Sequence, residues 1–116
     1  MTFGKHIRQR REVLVQDDPR YSLRQTAQRV GIEPAYLSKI ERETFPPPGE
    51  DTIRALAHEL DEDPDLLLAM AGKVGSDLQA IIRRRPLLFA ALLRQLKSAP
   101  DDVVERMAKE VKDGDW

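Results

Sequence analysis

Apolar side chains recur at helical spacing along nearly the whole chain and nowhere in the alternating register of a half-buried strand. Phe3, Ile7 and Leu14, with Val13 beside them, stand four and seven apart and predict an amphipathic helix over residues 3–16, with Thr2 as its N-cap. Gln16-Asp17-Asp18-Pro19-Arg20-Tyr21 breaks the pattern as a turn. Ser22, three residues before Gln25, forms a capping-box arrangement at the start of a second helix. Gly31 punctuates its end, and Pro34 falls in the first turn of a third helix, where its missing N–H has no helical role. Glu43-Thr44-Phe45-Pro46-Pro47-Pro48-Gly49 cannot be helical in its interior and reads as a stiff loop. Ile53, Leu56, Ala57 and Leu60 mark a helix over residues 50–60. Asp63-Pro64 opens a fifth, bearing Leu67, Leu68 and Met70 and closed between Gly72 and Gly75.

Beyond that point the pattern becomes more apolar. Ser76 or Asp77 caps a helix with Leu78, Ile81 and Ile82 that stops at Arg85-Pro86. Leu87, Leu88, Phe89, Leu92, Leu93 and Leu96 follow, and Ser98 to Asp102 opens a last helix with Val103, Val104, Met107 and Val111. The expected fold class is all-α, with a five-helix domain over residues 1–72 and a helical region over residues 73–116. The leucine stripe carries more apolar surface than one helix buries against itself. Leu88, Phe89, Leu92, Leu93 and Leu96 are therefore the expected dimerisation residues. The competing expectation is that these helices fold back and complete the first core.

The segment Ser22 to Arg42 carries the chemistry. Ala27 is small enough for a second helix to approach, Gly31 can take the positive φ of a sharp inter-helix turn, and Leu37 with Ile40 turns one apolar face inward. The opposite face, with Glu33, Ala35, Tyr36, Ser38, Lys39 and Arg42, stays outside. A mixed face on a rigid turn is the geometry by which helix pairs enter the DNA major groove.

Composition sharpens this picture. The net charge of −1 is unhelpful for a nucleic-acid binder, but residues 1–48 hold nine Lys/Arg against six Asp/Glu, and residues 49–116 hold ten against fourteen. Positive charge thus surrounds the helix pair. There is no cysteine, which fits a reducing cytosol, and a cytoplasmic location is expected. No apolar stretch reaches the length of a membrane span, and no signal peptide precedes the first helix. His6 and His58 have no ligand-type partner at helical spacing, so neither a metal nor another cofactor is expected. Asp61-Glu62-Asp63-Pro64-Asp65 lacks the spacing of a calcium loop and reads as a capped helix start. Arg83-Arg84-Arg85 reads as a solvated helix end that favours positive charge. No nucleophile–base arrangement stands out, and an enzyme is not expected.

Taken together, Phe3-Gly4, Ile7-Arg8 and Arg11, then Ser22-Leu23, Ala27 and Val30-Gly31-Ile32, then Tyr36-Leu37-Ser38-Lys39-Ile40-Glu41-Arg42, with Ile53, Leu56-Ala57, Leu60, Pro64 and Leu67, resemble the lambda-repressor-like, Cro/XRE-type helix-turn-helix family. The resemblance covers residues 3–72. It implies a sequence-specific transcriptional regulator, a repressor in the simplest case, that binds double-stranded DNA as a homodimer. It also implies an ion pair between Arg11 and Glu41 that pins the helix pair to the first helix. Three features depart from the family pattern: the long first loop, Thr26 at a commonly apolar position, and Glu43 in place of the glycine that usually ends the recognition helix. Thr26 is expected to bond backward within its helix or stay partly wet.

The expected phosphate contacts are Ser22, Leu23, Arg24, Arg42 and Thr44, with Arg20 a further candidate. Base readout is expected from Glu33, Ala35, Tyr36, Ser38 and Lys39, with Lys39 donating to guanine. An alternative class is a protein-interaction module, such as an antitoxin or adaptor, whose partner protein covers the leucine stripe.

Overall fold

The computed structural model describes residues 2–114, and these contain eight α-helices and no strand. The chain parts into two compact units between Gly75 and Ser76. Residues 73–75 belong with the first unit: Lys73 Nζ donates to the Pro48 carbonyl at 2.9 Å, and Gly75 is buried.

The first unit holds α1 (Phe3–Val15), α2 (Leu23–Val30), α3 (Pro34–Glu41), α4 (Glu50–Leu60) and α5 (Pro64–Met70). Its core takes Phe3 and Ile7 from α1, Ala27 from α2, Leu37 and Ile40 from α3, Ile53, Leu56, Ala57 and Leu60 from α4, and Leu67 and Leu68 from α5. Every helix thus contributes the face its apolar spacing marks. Leu14 packs on the edge of this core, whereas Val13 is exposed and belongs to the outer face.

The helix ends are built locally. Thr2 occupies the N-cap position of α1 in extended backbone but makes no side-chain cap; its carbonyl accepts from the His6 N–H at 2.9 Å. The long first loop folds into a single 3-10 turn, Pro19–Tyr21, stapled by Asp18, which accepts from the Arg20 N–H and from its guanidinium. Ser22 caps α2 by accepting from the Gln25 N–H at 3.2 Å. The other half of a capping box is unnecessary, because the Ser22 N–H already donates to the Pro19 carbonyl. At Gly31, φ is +87°, and the Gly31 and Ile32 amides turn back to the carbonyls of Gln28 and Ala27. This left-handed end aims the chain into α3.

The same device ends α3, but without glycine. Glu43 adopts φ +64°, its N–H donates to the Ile40 carbonyl, and the Thr44 N–H donates to that of Lys39. The exit path therefore keeps a glycine-type ending, at the cost of left-handed strain on a side-chain-bearing residue. Glu43→Gly is expected to raise unfolding free energy by about 1 kcal/mol, read from urea midpoints at unchanged slope.

Thr26 corrects a sequence expectation. It is fully buried, and its Oγ1 has no hydrogen-bond partner among the described residues, so it neither bonds backward nor stays wet. Close packing of α2 on its neighbours shuts water out at this point. Since an unsatisfied buried hydroxyl costs about 1–3 kcal/mol, Thr26→Val is expected to stabilise the protein by about 1 kcal/mol in thermal or urea unfolding.

The second unit holds α6 (Ser76–Arg84), α7 (Pro86–Ser98) and α8 (Asp101–Asp113). None of the three has a buried residue. Leu87 is 86% exposed and Leu88 68%, so the stripe lies on a face that its own unit leaves open.

Candidate nucleic-acid interface

α2, the Gly31 turn and α3 form a helix-turn-helix that packs into the core through Ala27, Leu37 and Ile40 and is joined to α1 by an ion pair. The Arg11 guanidinium on α1 grips the Glu41 carboxylate on α3 through Nε–Oε2 at 2.8 Å and Nη2–Oε1 at 2.9 Å. Its Nη1 donates to the Tyr21 carbonyl at 3.3 Å, so one side chain ties α1, α3 and the preceding turn. The side chains are 11% and 4% exposed, which makes this a buried bidentate pair rather than a solvated surface contact. The hydrogen bonds to Glu41 push the Arg11 pKa above its ordinary value, against the opposing effect of burial.

The start of α2 presents backbone donors. Ser22 Oγ is used by the Gln25 amide, which leaves the Leu23 and Arg24 amides in the first turn, where no intrahelical acceptor exists. Arg8, Leu23, Ser38 and Arg42 line a groove beside these amides, with Arg11 and Glu41 at its base. Arg24, Gln28 and Glu33 line a second groove at the junction of α2 and α3. Glu33 is the N-cap residue of α3 but makes no side-chain cap bond, so its carboxylate stays exposed.

Electrostatic pairing sorts the basic side chains. Residues 20–67 contain six, and three of them are in ion pairs: Arg20 with Asp18, Arg29 with Glu59 at 2.6 Å, and Arg54 with Glu50. Arg24, Lys39 and Arg42 have no acidic partner among the described residues. The unpaired three flank the start of α2 and the outer face of α3. Arg20 is a weaker candidate than the sequence implied, because its charge is spent locally: the guanidinium holds the Asp18 carboxyl below the usual carboxylate range.

Other positions fall as follows. Ala35 and Lys39 are exposed on α3, and Ser38 is half-buried at the groove edge, with its carbonyl accepting from Arg42 Nε at 3.3 Å. Tyr36 is not a free outer residue; it packs on the rim of the core and against Phe45, ring centroids 6.0 Å apart. Thr44 is exposed, but its hydroxyl donates to the Lys39 carbonyl at 3.1 Å, so that proton serves the helix end rather than a phosphate. Among the expected dimerisation residues, Leu88, Leu92 and Leu93 are exposed, while Phe89 and Leu96 are half-buried. Two surface residues escaped sequence reading: Arg8, which the α1 periodicity places outside but cannot aim at α2, and Phe45. The signal for Phe45 was an aromatic residue directly before three prolines in a chain with only three phenylalanines.

No helix among the described residues is long and apolar enough to cross a membrane. Nor does any group of three or more His, Cys, Asp or Glu side chains among them form a metal-binding cluster. No curated protein and no solved structure matches the chain. Residues 20–67 match the helix-turn-helix family model, a span that begins at the 3-10 turn and ends within α5. That span, somewhat under half of the chain, is similar to the Cro/C1-type helix-turn-helix domains of the XRE family, a family of DNA-binding regulators.

Proposed function

We propose that this protein is a sequence-specific transcriptional regulator that binds a near-palindromic operator as a homodimer and represses by occupying the promoter. The observation that carries the reading is the segregation of charge: the three unpaired cations of the helix-turn-helix, Arg24, Lys39 and Arg42, all border its exposed face. Phosphates are met by the Leu23 and Arg24 amides, the Ser22 hydroxyl, Arg24 and Arg42. Bases are read by Lys39, Ser38, Ala35 and Glu33, with Tyr36 offering its exposed edge to a thymine methyl. Residues 76–114 supply the second copy through Leu88, Leu92 and Leu93, and half-sites lie about 34 Å apart.

Selection from a random duplex pool tests this reading. Enrichment of a two-fold-symmetric site, bound with two chains per duplex, is the expected outcome. Lys39→Ala is expected to relax preference at one position of each half-site, whereas Arg42→Ala weakens binding to all sequences alike. Failure to enrich any duplex at low salt overturns it.

A second reading has its own observation: a helical unit with no buried side chain and five leucines exposed needs a covering surface. In that reading the cover is a different protein, and the chain serves as an antitoxin or adaptor. Sedimentation of the pure chain separates the two. A stable dimer supports the homodimeric regulator, and a monomer that self-associates without limit supports a missing partner.

A further inference from the structure

We infer that Phe45 is a positioning residue for Lys39, and that the pair acts as one base-reading unit. This rests on the DNA-binding reading above and adds a residue outside the recognition helix to it. Lys39 Nζ lies 4.9 Å from the centroid of the Phe45 ring, and Tyr36 packs against the same ring at an interplanar angle of 58°. Phe45 is itself 44% exposed, a large aromatic left at the surface beside the outer face of α3.

The backbone fixes this geometry. The Lys39 carbonyl accepts from the Thr44 N–H at 3.0 Å, the Phe45 N–H at 3.2 Å and the Thr44 hydroxyl at 3.1 Å. The residue that carries the ammonium therefore also anchors the residue that carries the ring. On the far side Pro46, Pro47 and Pro48 restrict the chain, and the buried Pro48 is held through its carbonyl by Lys73. Phe45 is thus clamped from both directions while its side chain stays in the open.

A free lysine is a poor reader, because ordering its four-carbon stem opposes binding. An ammonium has three donors, and the ring face occupies one side of it. The remaining donors point away from the ring and can reach N7 and O6 of a guanine without the cation leaving its platform. Phe45 thereby pre-orders Lys39 and strengthens discrimination at the position Lys39 reads, without any phosphate contact of its own.

Duplex selection and competition binding with the full chain test this. The position read by Lys39 is the one that Lys39→Ala relaxes. Phe45→Leu is expected to lower discrimination there about three-fold, with the salt dependence of binding unchanged, and Phe45→Tyr is expected to keep it. In the Lys39→Ala background, Phe45→Leu should change nothing further at that position. A Phe45→Leu protein with wild-type preference, or one whose loss persists in the Lys39→Ala background, overturns the inference. The DNA-free chain offers a second readout: the ε-methylene protons of Lys39 should show an upfield ring-current shift that Phe45→Leu abolishes. Absence of that shift overturns the positioning even if a duplex is read, whereas failure of the wild type to select any duplex removes the reading on which it rests and overturns both.

Discussion

Replacing Glu41 by glutamine is expected to lower the unfolding free energy of the first unit by about 3 kcal/mol. The substitution keeps the volume of the side chain and one acceptor oxygen, so no cavity term contributes. It removes the charge that Arg11 needs and turns an amide NH2 toward the guanidinium. Arg11 is 11% exposed at its side chain, so water cannot replace the lost partner. Urea unfolding followed through the Tyr21 and Tyr36 ring signals reports this unit alone, since both tyrosines lie within it. A companion variant separates charge from packing. Arg11→Met with Glu41→Leu removes both charges together, and it should recover most of the loss, as paired apolar replacements of buried ion pairs do. A Glu41→Gln protein as stable as the wild type would show that solvent reaches the pair. The structural consequence is directional: the pair joins α1 to the last turn of α3, so the double apolar variant should fold well yet hold α3 less firmly.

Gly4→Ala is the second large effect, a loss of about 2 kcal/mol by the cost of forced overpacking. Gly4 is buried in the first turn of α1, where a Cβ would run into the Ile40 carbonyl oxygen and approach the Glu43 Cγ at 2.8 Å. The side-chain atom can move aside, but the carbonyl belongs to the hydrogen-bonded end of α3 and cannot. The loss should therefore persist in a Glu43→Gly background, which removes the side-chain contact and leaves the backbone one. If the double variant recovers wild-type stability relative to Glu43→Gly alone, the side chain and not the carbonyl is the obstacle. Alanine is the better helix former in isolation, so any destabilisation here measures close approach rather than propensity.

Much of this was legible in the sequence because it depends on spacing along one chain. The helices of both units follow from apolar periodicity and from Pro34 and Pro64 at helix starts, while Pro86, read as the stop of one helix, also opens the next. Gly31 was legible because only its backbone freedom is used. The Arg11–Glu41 pair was reached through family resemblance, since no local pattern connects residues thirty positions apart. Three features were not legible, each for its own reason. Thr26 looked able to satisfy its hydroxyl, and only the packed neighbours reveal that it does not. Glu43 was read as a departure at the end of α3, yet the backbone hydrogen bonds impose the left-handed ending whatever residue stands there. Gly4 matched the family pattern without a stated role, because the need for it arises from a carbonyl on another helix. The candidate interface divides in the same way. Lys39 and Arg42 were visible as exposed cations, while the pairing that sets Arg20 and Arg29 aside needed the positions of Asp18 and Glu59.

The sparing use of unpaired charge also bears on how a regulator of this kind locates its target. Bulk chromosomal DNA competes through phosphate attraction alone, and its sites outnumber an operator by roughly 10⁶–10⁹. A helix-turn-helix with only Arg24, Lys39 and Arg42 unneutralised, in a chain of net charge −1, offers that background little to hold. On the operator-binding function proposed above, such a protein is expected to stay largely in solution between encounters and to reach its operator by three-dimensional diffusion more than by sliding, which a weak affinity for non-operator duplex at physiological salt would check.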